Sequence, residues 1–130
     1  MRIMLFEEGK KVKVTEIGSD LKSLQETVGG FIEVPYMGDY LREHNILLVC
    51  NDEGMINESE PTLGIINNNG ECNGCIFGSC FLVGSQGEDF ISLNDKQLEI
   101  LNKLVKDVAV GYTDKVAKEQ KLIAGLFIPR

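Results

Sequence analysis

The sequence predicts an α+β fold: a single domain on a mainly antiparallel sheet, with a short helix after the first hairpin and a helical C-terminus. Three observations carry that reading. The early strands are joined by hairpin-length connections, too short for the crossovers that parallel strands need. Two stretches, after residue 20 and after residue 92, repeat apolar residues at helical spacing. Between them lies Ile46-Leu47-Leu48-Val49-Cys50, a continuous apolar run of the kind a central strand shows. With 130 residues the chain fits one domain, since domains run roughly 100–200 residues. Residues 1–110 read as the α+β domain and 111–130 as a helical extension packed on it.

Each element follows from its residues. Arg2 to Phe6 reads as the first strand. Gly9-Lys10 turns the chain into Lys11 to Ile17, where Val12 and Val14 alternate and Ile17 slips by one. That pattern is a hairpin with one wet face. Ser19 or Asp20 caps a helix from Leu21 to Val28, with Leu21, Leu24 and Val28 on one stripe. Gly29-Gly30 ends it, because glycine takes the left-handed C′ conformation without steric cost. Phe31 to Tyr36 reads as a strand that Pro35 pushes to a sheet edge.

Residues 37–45 read as a polar loop, and Asn51-Asp52-Glu53-Gly54 has turn chemistry after the central strand. Residues 55–70 are rich in turn formers. Cys75 to Val83 reads as one strand-like run, closed by Gly84-Ser85-Gln86-Gly87. Ser92 and Asp95 fit a capping box for a helix with Leu98, Leu101, Leu104, Val105 and Val108 on one stripe. Gly111 breaks it. Thr113 to Leu122 reads as a further short helix before the apolar tail Ile123 to Ile128.

Charge narrows the function. The chain has 13 basic against 20 acidic residues, a net charge of −7. Residues 23–100 hold only Arg42 and Lys96 against thirteen carboxylates, and the 53 residues between those cations contain no Lys or Arg. Such a field repels phosphate backbones, so direct nucleic-acid binding is not expected. A basic groove on another protein would be steered toward it. No apolar run approaches the ~18 residues that span a bilayer, and no signal-peptide core opens the chain. The protein is expected in the cytoplasm, free of membranes.

The sharpest chemical pattern is Cys72-x-x-Cys75-x4-Cys80, with Cys50 elsewhere. Three thiolates with Cys50 or His44 as fourth ligand would bind zinc tetrahedrally. The close pair is alternatively a redox pair, but such a thiolate gains from a helix N-terminus and this one enters a strand. The plainest alternative makes Cys75 and Cys80 small core residues. Catalytic arrangements are missing. The lone His44 has no nucleophile beside it, and Ser85 does not sit in the strand-to-helix elbow of hydrolases. No phosphate-binding glycine loop and no zinc-protease helix motif occurs. The carboxylate pairs Asp52-Glu53 and Glu88-Asp89 read as exposed turn residues. The chain is therefore read as non-enzymatic, with no cofactor and no resident metal.

Four segments together resemble a known family: Asp20-Leu21-Lys22-Ser23-Leu24-Gln25-Glu26 running into Val28-Gly29-Gly30 and Ile32-Glu33; Val49-Cys50-Asn51-Asp52-Glu53-Gly54; Gly78 with Phe81-Leu82-Val83-Gly84; and Glu88-Asp89-Phe90 with Ser92-Leu93. The family is domain-of-unknown-function family 3846, and the likeness covers roughly residues 2–100. The resemblance implies an accessory protein of phages, plasmids and conjugative elements of mainly Gram-positive bacteria, a setting in which small acidic proteins counter host defence. It carries no enzymatic activity across. Cys72, Cys75 and Cys80 stand where the family has aliphatic or aromatic residues, which favours a core role over ligation. Thr62 follows Pro61 where the family has Asn, and residues 37–45 look inserted.

The expected function is stoichiometric binding to a host defence protein, anti-CRISPR-like, with an acidic surface competing against nucleic acid for a basic groove. The expected contacts are Glu43, Asp52, Glu53, Glu58, Glu60, Glu88 and Asp89. The alternative is sequestration of a nucleotide immune signal, a small molecule held in an anion nest around Gly29, Gly30, Asn51 and Gly54. A third is a structural zinc module on Cys72, Cys75, Cys80 and Cys50.

Overall fold

The computed structural model describes residues 1–54, 59–67, 69–110 and 121–129. Alternation in the first strand sets the layering. In β1 (Arg2–Phe6), Ile3 and Leu5 enter one apolar cluster while Met4 and Phe6 enter another, as a two-residue period requires. β2 (Lys13–Glu16) pairs antiparallel with β1, Arg2 opposite Glu16. The turn falls where expected, with the Lys10 N–H donating to the Glu7 carbonyl at 3.3 Å.

α1 (Leu21–Val28) has the expected bounds, and Asp20 is its cap: the carboxylate accepts the Ser23 N–H at 3.2 Å. Hydrogen bonds from the Ser23 side chain and backbone hold the Asp20 carboxyl below its usual range. Gly29 ends the helix at φ 82°, its N–H bonded to the Gln25 carbonyl. Leu24 and Val28 are buried, but Leu21 is 58% exposed. Only the later turns of this eight-residue helix pack on the sheet.

The expected strand at residues 31–36 shrinks to β3 (Ile32–Glu33), an edge strand. Its partner β4 (Ile46–Asn51) places Asn51 opposite Ile32 and Cys50 opposite Glu33. Continued, that register would set Pro35 opposite Leu48, where the ladder needs an N–H that proline lacks. The expected loop at 37–45 contains α2 (Asp39–Glu43), whose Leu41 is buried in the core. Polar composition concealed a helix that uses a single apolar anchor.

β5 (Pro61–Ile66) lies inside the turn-rich stretch. Pro61 is its first residue, a position that tolerates a missing N–H. The expected run at 75–83 is two strands, β6 (Cys72–Phe77) and β7 (Cys80–Gln86). Gly78, at φ 79°, breaks them apart as the chain passes from one sheet to the other. β7 continues through Gly84 and Ser85 and turns at Gly87-Glu88 into β8 (Asp89–Ile91).

α3 (Asp95–Leu104) is capped by Asn94 and Gln97, not by Ser92 and Asp95. Arg2 takes those two: its N–H donates to the Ser92 hydroxyl at 2.9 Å and its guanidinium meets Asp95 at 3.0 Å. The helix stops at Leu104, and the residues expected to extend it form β9 (Val105–Val110). Val105, Val108 and Val110 are β-branched and favour a strand. β10 (Lys121–Phe127) then pairs antiparallel with β9 and parallel with β5. The expected helical C-terminus is thus corrected to a strand at 121–127, where the apolar tail fills the gap between two partners. Residues 113–120 of that expected helix lie outside the described residues.

The fold is α+β and mainly antiparallel, as expected. A six-stranded sheet runs β2-β1-β7-β4-β3 with β8 beside β7, and a four-stranded sheet runs β6-β5-β10-β9. The central strands of the larger sheet, β1, β7 and β4, are buried on both faces. One face, with Ile3, Leu5, Val49, Phe81 and Val83, is covered by Leu24 and Val28 of α1. The other, with Met4, Phe6, Ile46, Leu48 and Leu82, packs against Leu63, Leu126, Leu41 and Leu101. Central β4 is therefore apolar at nearly every position. Among the described residues, no helix is long and apolar enough to cross a membrane.

Candidate functional site

The fold brings Gly29, Gly30, Asn51 and Gly54 together where β4 ends. The Asn51 side-chain amide donates to the Val28 carbonyl at 3.1 Å, and its oxygen accepts the Glu53 N–H at 2.8 Å. A Cβ at Gly30 would stand 2.9 Å from the Asn51 amide nitrogen, and one at Gly54 only 2.4 Å from the Phe77 carbonyl oxygen. Both glycines are demanded by close approach. Beside them lies a cleft of about 440 Å³, lined by Glu7, Glu8, Lys10, Ser59 and Ser79 as well as Gly29 and Asn51.

These residues do not form the expected anion nest. A nest needs free N–H groups converging on one point. Here the Gly29 and Gly30 N–H groups donate to the Gln25 carbonyl at 2.8 and 3.0 Å. The Asp52 N–H donates to Phe31, Glu53 to the Asn51 side chain, and Gly54 to the Asn51 carbonyl. These five donors are engaged inside the fold, and Glu7 and Glu8 line the same cleft. The cluster is a structural knot joining α1, β3 and β4.

The expected acidic contacts divide between two ends of the larger sheet. Asp52 and Glu53 are exposed in the turn after β4. Glu60 lies at the same end, its N–H donating to the Glu8 carboxylate at 2.8 Å and its carbonyl accepting the Gly78 N–H. Glu7 is held by Lys10 and Lys13 at 3.8 and 3.5 Å. Glu43 precedes β4 and Glu88-Asp89 follow β7, at the far end. Six residues of β4 separate the ends by roughly 17 Å. Glu58 lies outside the described residues. The six described positions therefore do not form one face, because the sheet turns the chain around between them.

The cysteines divide as well. Cys50 and Cys80 are cross-strand neighbours in the core. Burial pushes the Cys50 thiol up to about 11, helped by the charges of Glu33 and Asp52, and pushes Cys80 up to about 12. Cys72 and Cys75 lie on β6 in the other sheet, with sulfurs 3.8 Å apart. The four thiols of the zinc alternative are not brought together. Among the described residues, no three His, Cys, Asp or Glu side chains gather around a metal position. His44 closes α2, its Nδ1 2.8 Å from the Tyr40 carbonyl.

Sequence reasoning missed three polar residues that hold these parts in place. Buried Thr62 donates its hydroxyl to the Gly78 carbonyl at 2.6 Å, bracing the crossing from β6 to β7. Gln97 donates its amide to both His44 and Asn45 carbonyls at 3.0 Å, tying α3 to the start of β4. Arg2 anchors the loop before α3 through the Leu93 carbonyl at 2.7 Å. Their partners are remote in sequence, so no spacing rule exposes them. A larger cleft, about 650 Å³, opens between residues 36–40 and one end of the smaller sheet, and is lined by Tyr36, Met37, Tyr40, Asn67, Asn73 and Ile128 among others.

No curated protein and no solved structure matches the chain. The family described as "Domain of unknown function (DUF3846)" matches residues 1–107, and the chain belongs to that family.

Proposed function

We propose that the chain is a non-enzymatic binding protein that engages a basic surface of a protein partner through the acidic end of its larger sheet. In the phage or mobile-element setting that the family resemblance implies, that partner is a host defence component. The observation that supports this reading is the turn at Asp52-Glu53. Two exposed carboxylates are held on a turn fixed by the Asn51 side chain and by the Gly54 N–H. A charge pair on a rigid turn loses little entropy on binding, which favours a partner over solvent. Glu8 lines the cleft beside Asn51 and accepts the Glu60 N–H, and the nearby lysines Lys10 and Lys13 pair with Glu7. Capture from host lysate on immobilised protein, followed by native mass measurement, tests the reading. A one-to-one complex with a basic protein supports it; recovery of no protein at low salt contradicts it.

A second reading is favoured by the cleft at Tyr36 and Tyr40. Its 650 Å³ falls within the ~300–1,000 Å³ typical of small-molecule sites. A planar base would stack on tyrosine there, with the Asn73 amide as polar partner. The nucleotide alternative thus moves from the glycine knot to this cleft. Mass spectrometry of metabolites released on heating separates the two readings.

A further inference from the structure

We propose that Cys72 and Cys75 are a vicinal dithiol that small-molecule disulfides convert reversibly to an intramolecular disulfide. In a regular strand, residues three apart point to opposite faces. β6 escapes that rule through a bulge. Ile66 pairs with Cys72, Ile65 with Gly74 and Gly64 with Cys75, which leaves Asn73 as an extra residue. Gly64 and Ile66 share a face of β5, so Cys72 and Cys75 share the corresponding face of β6. Gly74 accommodates the bulge at φ 152°, a conformation open essentially to glycine alone. The sulfurs end 3.8 Å apart and need close by only about 1.8 Å to reach bonding distance.

Position completes the case. β6 is an edge strand, Cys72 is exposed and Cys75 is half-buried. Cys50 and Cys80 are buried in the core and out of reach of a solvent-borne oxidant. With glutathione disulfide as oxidant, the Cys72 thiolate attacks one glutathione sulfur; that S–S bond breaks and one glutathione thiolate leaves. The Cys75 thiolate then attacks Cys72 sulfur in the mixed disulfide, and the second glutathione leaves. The protein loses two electrons and two protons, and the glutathione disulfide gains them. The order follows from exposure. It agrees with a Cys75 thiol pushed up to about 11, first by burial and then by its neighbour Cys72.

The test treats native protein with glutathione disulfide, alkylates remaining thiols in denaturant and maps them by peptide mass. The expected product has lost two hydrogens within the peptide spanning Cys72 and Cys75, carries no alkyl group there and is alkylated at Cys50 and Cys80. Excess reduced glutathione restores both thiols. Cys75→Ser should instead stop at a glutathione adduct on Cys72. Full alkylation at all four cysteines would overturn the proposal. So would a wild-type protein that keeps the Cys72 adduct without closing the ring.

Discussion

The Asn51 amide donates to the Val28 carbonyl at 3.1 Å and so ties the end of β4 to the last turn of α1. The same side chain accepts the Glu53 N–H, which sets the acidic turn. Asn51→Ala removes both bonds and should destabilise the fold by about 1–3 kcal/mol. Urea unfolding measures this. An unchanged midpoint would mean that water replaces both bonds without loss.

The double glycine serves that knot in two different ways. Gly29 needs its positive φ, and a Cβ there costs roughly 1–2 kcal/mol wherever the side chains lie. Gly30 has no such φ; its Cβ would instead collide with the Asn51 amide. Gly30→Ala should therefore cost less in an Asn51→Ala background, while Gly29→Ala should cost the same in both. A double-mutant cycle reads the coupling directly. Equal costs for Gly30→Ala in both backgrounds would remove this account.

Core and surface leucines should separate cleanly. Leu48 is 0% exposed at the centre of the larger sheet, so Leu48→Ala should lose about 2–5 kcal/mol. Leu21, on the same predicted stripe as Leu24 but 58% exposed, should lose no more than about 0.5 kcal/mol as Leu21→Ala. Similar losses at the two sites would contradict the described placement of α1.

Alkaline pH should weaken the fold through the buried thiols. From an ordinary value of 9.0, burial raises Cys50 to about 11 and Cys80 to about 12. As pH rises, the unfolded chain releases these protons first, so the native state then binds more protons than the unfolded one. Stability from these groups is complete below about pH 9 and is lost as pH climbs through the raised values. Cys80→Ala should flatten the decline in urea midpoint between about pH 8 and about pH 10.5. An equally steep decline in the variant would assign it to other groups.

What the sequence made legible was local. α1 could be read to the residue because its cap, stripe and terminating glycine are all neighbours in the chain. β1 and β4 were legible because both are short continuous apolar runs, buried on both faces of the sheet. The errors were tertiary. Pro61 and Gly64 look like turn residues until β10 arrives beside β5, where Gly125 packs opposite Gly64. Val105 fits the α3 stripe, yet strand pairing with Leu126 claims it. At the site, sequence placed Gly29, Gly30, Asn51 and Gly54 in one functional group, and the fold does gather them. It could not show that the Gly29 and Gly30 N–H groups would be engaged by the Gln25 carbonyl and the Gly54 N–H by the Asn51 carbonyl.

The most direct test of the acidic binding surface measures association rate with the captured partner across a salt series. Asp52→Lys with Glu53→Lys is compared with Glu88→Lys with Asp89→Lys, at the opposite end of the sheet. Steering is screened beyond the ~8 Å Debye length at physiological ionic strength, so the wild-type rate should fall steeply as salt rises. Reversal at Asp52 and Glu53 should slow association at least tenfold at low salt, roughly the lower bound of electrostatic steering, and flatten that dependence. Reversal at Glu88 and Asp89 should leave it nearly unchanged. Equal rates for the two double variants would contradict the account.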